Sequence, residues 1–348
     1  MSLDPVFGDG YTAERIDLGH DDEGPVVATL VHRLRRPGDR PARPAGADRD
    51  LPPILVGHGW SDYVFDRDLL DHLGEQGYDV WALDLRKHGR SLLPGQTATA
   101  IDTLERYDEE IDEALRRIGT DRPPILLAHS TGGLTAALWA QRHPGTVRAL
   151  ALNSPWLEMH LGPAARLLLE GPVKALAERL QGKPILPQGS PFYARTTHRD
   201  YGGLYDYDLD LKPPRGHPFP AQTLGAVLEG QKRLAAAGPL RIPILVMHSS
   251  RTRIGVLFTE QMRRSDTVLD VRAIRQAALR LGPDVWVEAI DGARHDVFMS
   301  DADARVRAIA TLDAWLEQVS GPALTMKPIG GAPREGGAEA ASEEEGQR

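Results

Sequence analysis

Cysteine does not occur anywhere in the 348 residues. That single absence excludes disulfides, thiolate metal sites and a cysteine nucleophile. No apolar run approaches the roughly 20 residues that a membrane-spanning helix requires. The opening residues MSLDPVFGDGYTAERIDLG lack a basic stretch followed by an apolar core, so no secretory signal is expected and the cytoplasm is the expected compartment. A basic excess is missing too: the net charge is −8 and part of the acidic surplus lies in the last dozen residues, which disfavours a nucleic-acid partner. His, Asp and Glu show no zinc-like spacing, and Gly57-His58-Gly59 runs on into Trp-Ser-Asp without the third glycine of a phosphate loop. Neither a metal nor another cofactor is expected. No internal repeat is present.

What is there is a rhythm of short apolar strands and amphipathic helices. Thr12–Leu18 and Pro25–Leu34 alternate apolar and polar residues and predict an antiparallel pair turned at His20–Gly24. The run RRPGDRPARPAGADRD at Arg35–Asp50 predicts an exposed loop. From residue 53 onward β-α units follow one another. Strands are predicted at Pro53–Gly57, Asp79–Leu85, Ile125–Ala128 and Val147–Leu152, with helices at Phe65–Gln76, Ile101–Ile118 and Leu134–Ala140. Such alternation argues for a mostly parallel sheet with helices on both faces, and in such sheets chemistry collects beyond the carboxyl ends of the strands. His58, Asp84 and Ser130 fall at or just past those ends.

The rhythm breaks between Ser154 and Gly238, where a helix is predicted at Pro163–Leu180 and residues 181–220 carry many Pro, Gly, Tyr and Asp. It resumes with a strand at Ile242–Met247, a helix at Val271–Leu281, a strand at Val285–Ile290 and a closing helix at Ala302–Val319. The chain therefore divides into a core of 1–153 and 239–319, an inserted cap of 154–238, and a tail of 320–348 poor in large apolar residues and expected to be disordered.

One stretch stands out. In PILLAHSTGG at Pro124–Gly133, a buried strand breaks at a serine and gives way to a helix, with Ala128 two residues before Ser130 and Gly132 two residues after. That is the nucleophile-elbow pattern, in which small neighbours let a strained serine stand proud of the sheet. A serine hydroxyl is a weak nucleophile and needs an adjacent base.

The segments LVGHGWSDYVFDRDLLDHLGEQGYDVWALDLRKHGRS at 55–91, LLAHSTGG at 126–133 and DGARHDVF at 291–298, in this order and spacing, resemble the α/β-hydrolase superfamily and within it the lysophospholipase or monoacylglycerol lipase-like branch, also described as serine aminopeptidase-type hydrolases. Lys87 stands where that branch more often has Gly. The resemblance, over about residues 50–318, implies the α/β-hydrolase fold with an inserted cap and an order of serine, acid, histidine along the chain. His295 then matches the catalytic histidine. The usual position of the acid, just past the strand ending at Met247, holds SSRTRI and no carboxylate. On the family's pattern Asp266, in SDTVLDV, becomes the acid, with Asp270 as the N-cap of the next helix and runner-up, and Glu260 a distant third. The two oxyanion-hole amides implied are those of Thr131 and Trp60, with Gly59 allowing close approach and Tyr63 and Trp156 lining the substrate site. His58, His88 and His129 read as structural. The aromatic residues of the insertion, Phe192, Tyr193, Tyr201, Tyr205, Tyr207 and Phe219, suit either an acyl-chain site or a small core of their own.

The resemblance implies a serine hydrolase that cleaves a small-molecule, lipid-like carboxylic ester through an acyl-enzyme on Ser130. Peptide, thioester or carbon–carbon bond hydrolysis on the same residues, and a non-catalytic ligand-binding member of the superfamily, remain the alternatives. The serine at 130 disfavours an aspartate-nucleophile epoxide or halide hydrolase.

Overall fold

The computed structural model describes residues 1–40, 51–119, 122–159, 184–186 and 191–321. Its centre is a nine-stranded sheet ordered β1-β2-β3-β5-β4-β6-β7-β10-β11. The strands are β1 (Ser2–Asp4), β2 (Gly8–Asp21), β3 (Gly24–Arg33), β4 (Ile54–Gly57), β5 (Val80–Asp84), β6 (Ile125–His129), β7 (Ala149–Asn153), β10 (Ile244–Ser249) and β11 (Val285–Ile290). From β5 across to β11 every pairing is parallel, and β1, β2 and β3 add an antiparallel edge. The predicted hairpin is thus that antiparallel edge, and β1 is an additional strand that the sequence pattern did not announce.

Helices cover both faces because the central strands are apolar on both. Leu55, Leu126, Leu150 and Val246 point into one core cluster, and their neighbours Val56, Leu127, Ala151 and Met247 point into the other. Period-two alternation splits each strand between two cores. The first face carries α2 (Tyr107–Ile118), α3 (Thr131–Arg142) and, further along, α6 (Val271–Ala278); the second carries α1 (Arg67–Glu75) and α7 (Ala302–Ser320). The predicted helix at Ile101–Ile118 begins late: Thr103 is extended, its hydroxyl accepts the Glu105 N–H, and a single 3-10 turn at Leu104–Arg106 leads into α2.

Between the adjacent strands β7 and β10 the chain makes its long insertion. Within it lie α4 (Phe192–Thr197), a small antiparallel pair of β8 (Pro184–Leu186) and β9 (Phe219–Pro220), and α5 (Ala221–Ala236). None of these was evident from periodicity; the helix predicted at Pro163–Leu180, the loop at residues 41–50 and the tail after 321 lie outside the described residues. Within the insertion, α5 packs on the sheet layer: its Ala226 and Val227 are buried in the first core cluster. Gly230 lies where a Cβ would come within 2.8 Å of Leu104 and 3.0 Å of Leu138. That helix is part of the layer covering the sheet.

Lys87 explains its own oddity. Its φ is 59°, the left-handed region that glycine enters freely, and its ammonium is held by Asp21 at 2.7 Å and Glu23 at 2.5 Å from the β2–β3 turn.

Candidate active site

Ser130 sits between β6 and α3 with φ 53° and ψ −118°. A non-glycine residue holds such a conformation only where its surroundings over-determine it. Here they do: the Ser130 amide donates to Asn153 O at 2.9 Å, and its carbonyl accepts the amides of Gly133 at 3.0 Å and Trp156 at 3.0 Å. The small residues around it follow from contact. A Cβ on Gly132 would lie 2.1 Å from the His58 carbonyl, one on Gly133 would lie 2.7 Å from Pro155, and one on Gly59 would lie 3.0 Å from the Ser130 Cβ. The loop after β4 is therefore pressed against the turn after β6. Ala128 fits because it is a strand residue, buried in the first core cluster.

Three side chains meet at the carboxyl edge of the sheet. Ser130 Oγ is 3.0 Å from His295 Nε2, and His295 Nδ1 is 2.9 Å from Asp266 Oδ2. All three are buried, Asp266 completely. Asp266 Oδ1 accepts the amides of Val268 and Leu269 at 2.7 and 2.8 Å, which leaves Oδ2 to the histidine. A carboxylate in this position can accept from Nδ1–H of the imidazole, the tautomer that leaves Nε2 as an acceptor for the serine. The missing carboxylate after Met247 is resolved in space. Residues 254–265 make an excursion, and the chain then returns to pair with its own start: Asp266 N donates to Arg251 O and Arg253 N donates to Asp266 O, both at 2.8 Å. Asp266 thus reaches the end of β10 although it is displaced in sequence. Asp270 is the N-cap of α6, accepting the Arg272 amide at 2.9 Å, and Glu260 is an exposed partner of Arg263. Neither faces His295.

The loop that carries His295 is tied down on its far side. Asn153 donates to Asp296 at 2.6 Å and accepts the Val297 amide at 3.1 Å, while Arg294 is buried against Met299 O and Asp301. Asn153 and Asp296 escaped sequence reading, since nothing in ALNSPW or RHDVF separates them from ordinary strand-end residues. The rings of His129 and Tyr193 lie 4.9 and 6.0 Å from that of His295.

Thr131 is the first residue of α3, where amides have no intrahelical acceptor. Trp60 follows Gly59, itself packed on Ser130, and its ring lies 4.5 Å from Phe219, which meets Trp156 edge-on at 6.3 Å. Trp60, Phe219 and Trp156 so form an aromatic row beside the serine. Tyr63 does not join it. Tyr63 is buried with Tyr207 and Met299, and its hydroxyl accepts the Asp208 amide at 2.8 Å. His58 accepts the Leu85 amide through Nε2, and His88 donates to Arg86 O, so both are structural. Asp84 accepts the amides of Val64 and Arg90 and pairs with the Arg90 guanidinium. Among the described residues, no three His, Asp or Glu side chains come together as a metal site, and no helix is long and apolar enough to cross a membrane.

Sheet, elbow and hydrogen-bonded relay define the class: an α/β-hydrolase-fold enzyme of the serine-hydrolase type. Residues 54–302 match the family described as serine aminopeptidase, S33, and the chain belongs to that family. A monoacylglycerol lipase of Mycolicibacterium smegmatis is 24% identical over 253 residues, which span 71% of this chain and 85% of that protein. Lysophospholipase L2 of Escherichia coli is 27% identical over 267 residues, 72% of this chain and 76% of its own. A crystallised soluble variant of the monoglyceride lipase from Saccharomyces cerevisiae superposes with a TM-score of 0.60 at 16% identity, over 88% of this chain and 97% of that one.

Proposed function

We propose that the chain hydrolyses the ester of a single-chain lipid, a monoacylglycerol, lysophospholipid or similar compound, through an acyl-enzyme on Ser130. The observation that carries this reading is the continuous relay from Ser130 Oγ through His295 to a fully buried Asp266. His295 Nε2 takes the hydroxyl proton as Ser130 attacks the ester carbonyl, and returns it to the departing alcohol. The amides of Trp60 and Thr131 receive the charge that develops on the carbonyl oxygen. Water then repeats the sequence on the acyl-enzyme, with His295 again as base.

The names of the relatives support a lipid ester, and so does the shape of the site. Behind Trp60 and Thr131 the free cavity is only about 10 Å³, room for about one water. The aromatic row of Trp60, Phe219 and Trp156 offers an acyl chain an apolar surface beside Ser130, under the insertion that we propose serves as the cap.

A fluorophosphonate probe followed by peptide mapping tests the nucleophile, and monoacylglycerols of graded chain length test the substrate class. Label on Ser130, lost in Ser130→Ala, with turnover rising with chain length is the expected result. Label without lipid turnover, alongside cleavage of aminoacyl anilides, would move the assignment to peptide chemistry. Folded protein that takes no label would leave only ligand binding.

A further inference from the structure

Four consecutive residues after β4, Trp60 to Tyr63, each contact the insertion. The Trp60 ring packs at a tilt against Phe219, centroids 4.5 Å apart, and lies 3.1 Å from where Gly216 would carry a Cβ. The Ser61 hydroxyl accepts the His217 amide at 2.7 Å and meets His217 Nδ1 at 2.8 Å. Asp62 Oδ1 is 2.7 Å from the Lys212 ammonium, and the Tyr63 hydroxyl takes the Asp208 amide. The stretch that carries the Trp60 amide is thus clasped along its whole length from 208 to 219.

This clasp is built from costly parts. Ser61 has a φ of 51°, strain that persists only where neighbours enforce it. Asp62 and Lys212 are both buried. Burial pushes the Asp62 carboxyl up, but the Lys212 ammonium, followed by His129, outweighs this and holds it well below the ordinary carboxylate range. Lys212 in turn lies over the rings of Phe65, Tyr193 and Tyr207 at 4.5, 5.3 and 5.1 Å. A buried pair of this kind fixes geometry better than it adds stability, because its desolvation offsets much of its attraction. Burial also keeps His217 neutral by lowering its pKa, which leaves Nδ1 free to accept the Ser61 proton.

We propose that Lys212 and His217 are positioning residues: reaching in from the insertion, they set the backbone of Trp60–Asp62 and with it the amide that receives the oxyanion. On this view residues 208–219 are a fixed part of the catalytic machinery, and access to the site is left to other parts of the chain. The inference rests on the hydrolase reading above, with Trp60 as an oxyanion donor.

An oxyanion contact acts in the transition state alone, so misplacing it lowers kcat and kcat/KM together and leaves KM nearly unchanged. The test is steady-state hydrolysis of p-nitrophenyl butyrate by wild type, Lys212→Met, Lys212→Arg and His217→Ala, with melting temperatures measured alongside. We expect kcat to fall about tenfold or more in Lys212→Met and His217→Ala, below the roughly 10²–10³-fold cost of losing a donor outright. KM stays within about twofold of wild type, and Lys212→Arg recovers most of the rate. Should the lone buried Asp62 prevent Lys212→Met from folding, Asp62→Asn/Lys212→Met removes both charges while still cutting the link, and the same loss of kcat is expected. Wild-type kcat in folded His217→Ala and in the double variant, or a rise in KM alone, would overturn the inference while leaving the hydrolase intact. A wild type that neither labels nor turns over removes the hydrolase reading itself, and the inference with it.

Discussion

Replacing Asp266 by asparagine removes one charge and almost no volume, and the surroundings dictate how the new side chain will sit. Oδ1 accepts two backbone amides at 2.7 and 2.8 Å, so the asparagine oxygen is drawn to that position. Its NH₂ group then faces His295 Nδ1, where the carboxylate stood at 2.9 Å. Two donors cannot face each other, so the imidazole moves its proton to Nε2, the nitrogen that must accept from Ser130 at 3.0 Å. In a serine–histidine–aspartate relay that wrong tautomer lowers kcat by about 10⁴, or roughly 5.4 kcal/mol at about 1.36 kcal/mol per decade. Both amide hydrogen bonds survive, so the melting temperature should stay within about 3 °C of wild type. Short-chain ester hydrolysis with a parallel thermal melt reads both quantities. Asp270→Ala is the matched comparison: losing the N-cap should cost about 1 kcal/mol of stability and leave kcat alone. A folded Asp266→Asn variant within tenfold of the wild-type rate would refute the assignment of Asp266 as the orienting acid, and a collapse of kcat in Asp270→Ala would transfer it.

Two further expectations follow from packing and burial. Gly132→Ala forces a Cβ to within 2.1 Å of the His58 carbonyl, and since the backbone fixes the Cβ and the carbonyl is itself backbone, neither can rotate away, so kcat should fall at least tenfold and the melting temperature with it. Gly225→Ala, in α5 with open space around it, should instead be neutral or stabilising by up to about 1 kcal/mol; equal behaviour of the two variants would contradict the close approach at the elbow. His88 is buried, and desolvation, helped by the nearby His58, lowers its pKa from 6.5 to about 3. The unfolded chain therefore binds the extra proton first. Stability that is complete above pH 6.5 is lost as pH falls toward 3, by at most about 1.4 kcal/mol per pH unit. Thermal melts at pH 7.5 and 5 should show a larger drop for wild type than for His88→Gln, and parallel drops would rule out His88 as the source.

Much of this protein was legible in the chain because strands that are apolar on both faces announce a buried parallel sheet. Ser130 and His295 each lie where a strand ends in a run of small residues, a local feature that composition exposes. Other features carry no local signal. Asp266 lies far along the chain from the strand it serves, and only the return of residues 254–265 to Arg251 places it at the end of β10. Nothing near Tyr63 in the chain announces that its hydroxyl takes the Asp208 amide. Helix α5 read as insertion because its own pattern says nothing of Leu104 and Leu138, the residues it packs against.

The sequence by itself determined the alternating β-α core, the strained serine and the histidine after the last strand, since each depends on neighbours within a few residues. Tertiary structure decided which carboxylate meets His295, the support of the histidine loop by Asn153, and the clasp of Lys212 and His217 on Trp60–Tyr63. Those depend on pairs 29 to 156 residues apart, and such contacts arise only when the sheet brings the loops at its carboxyl edge together.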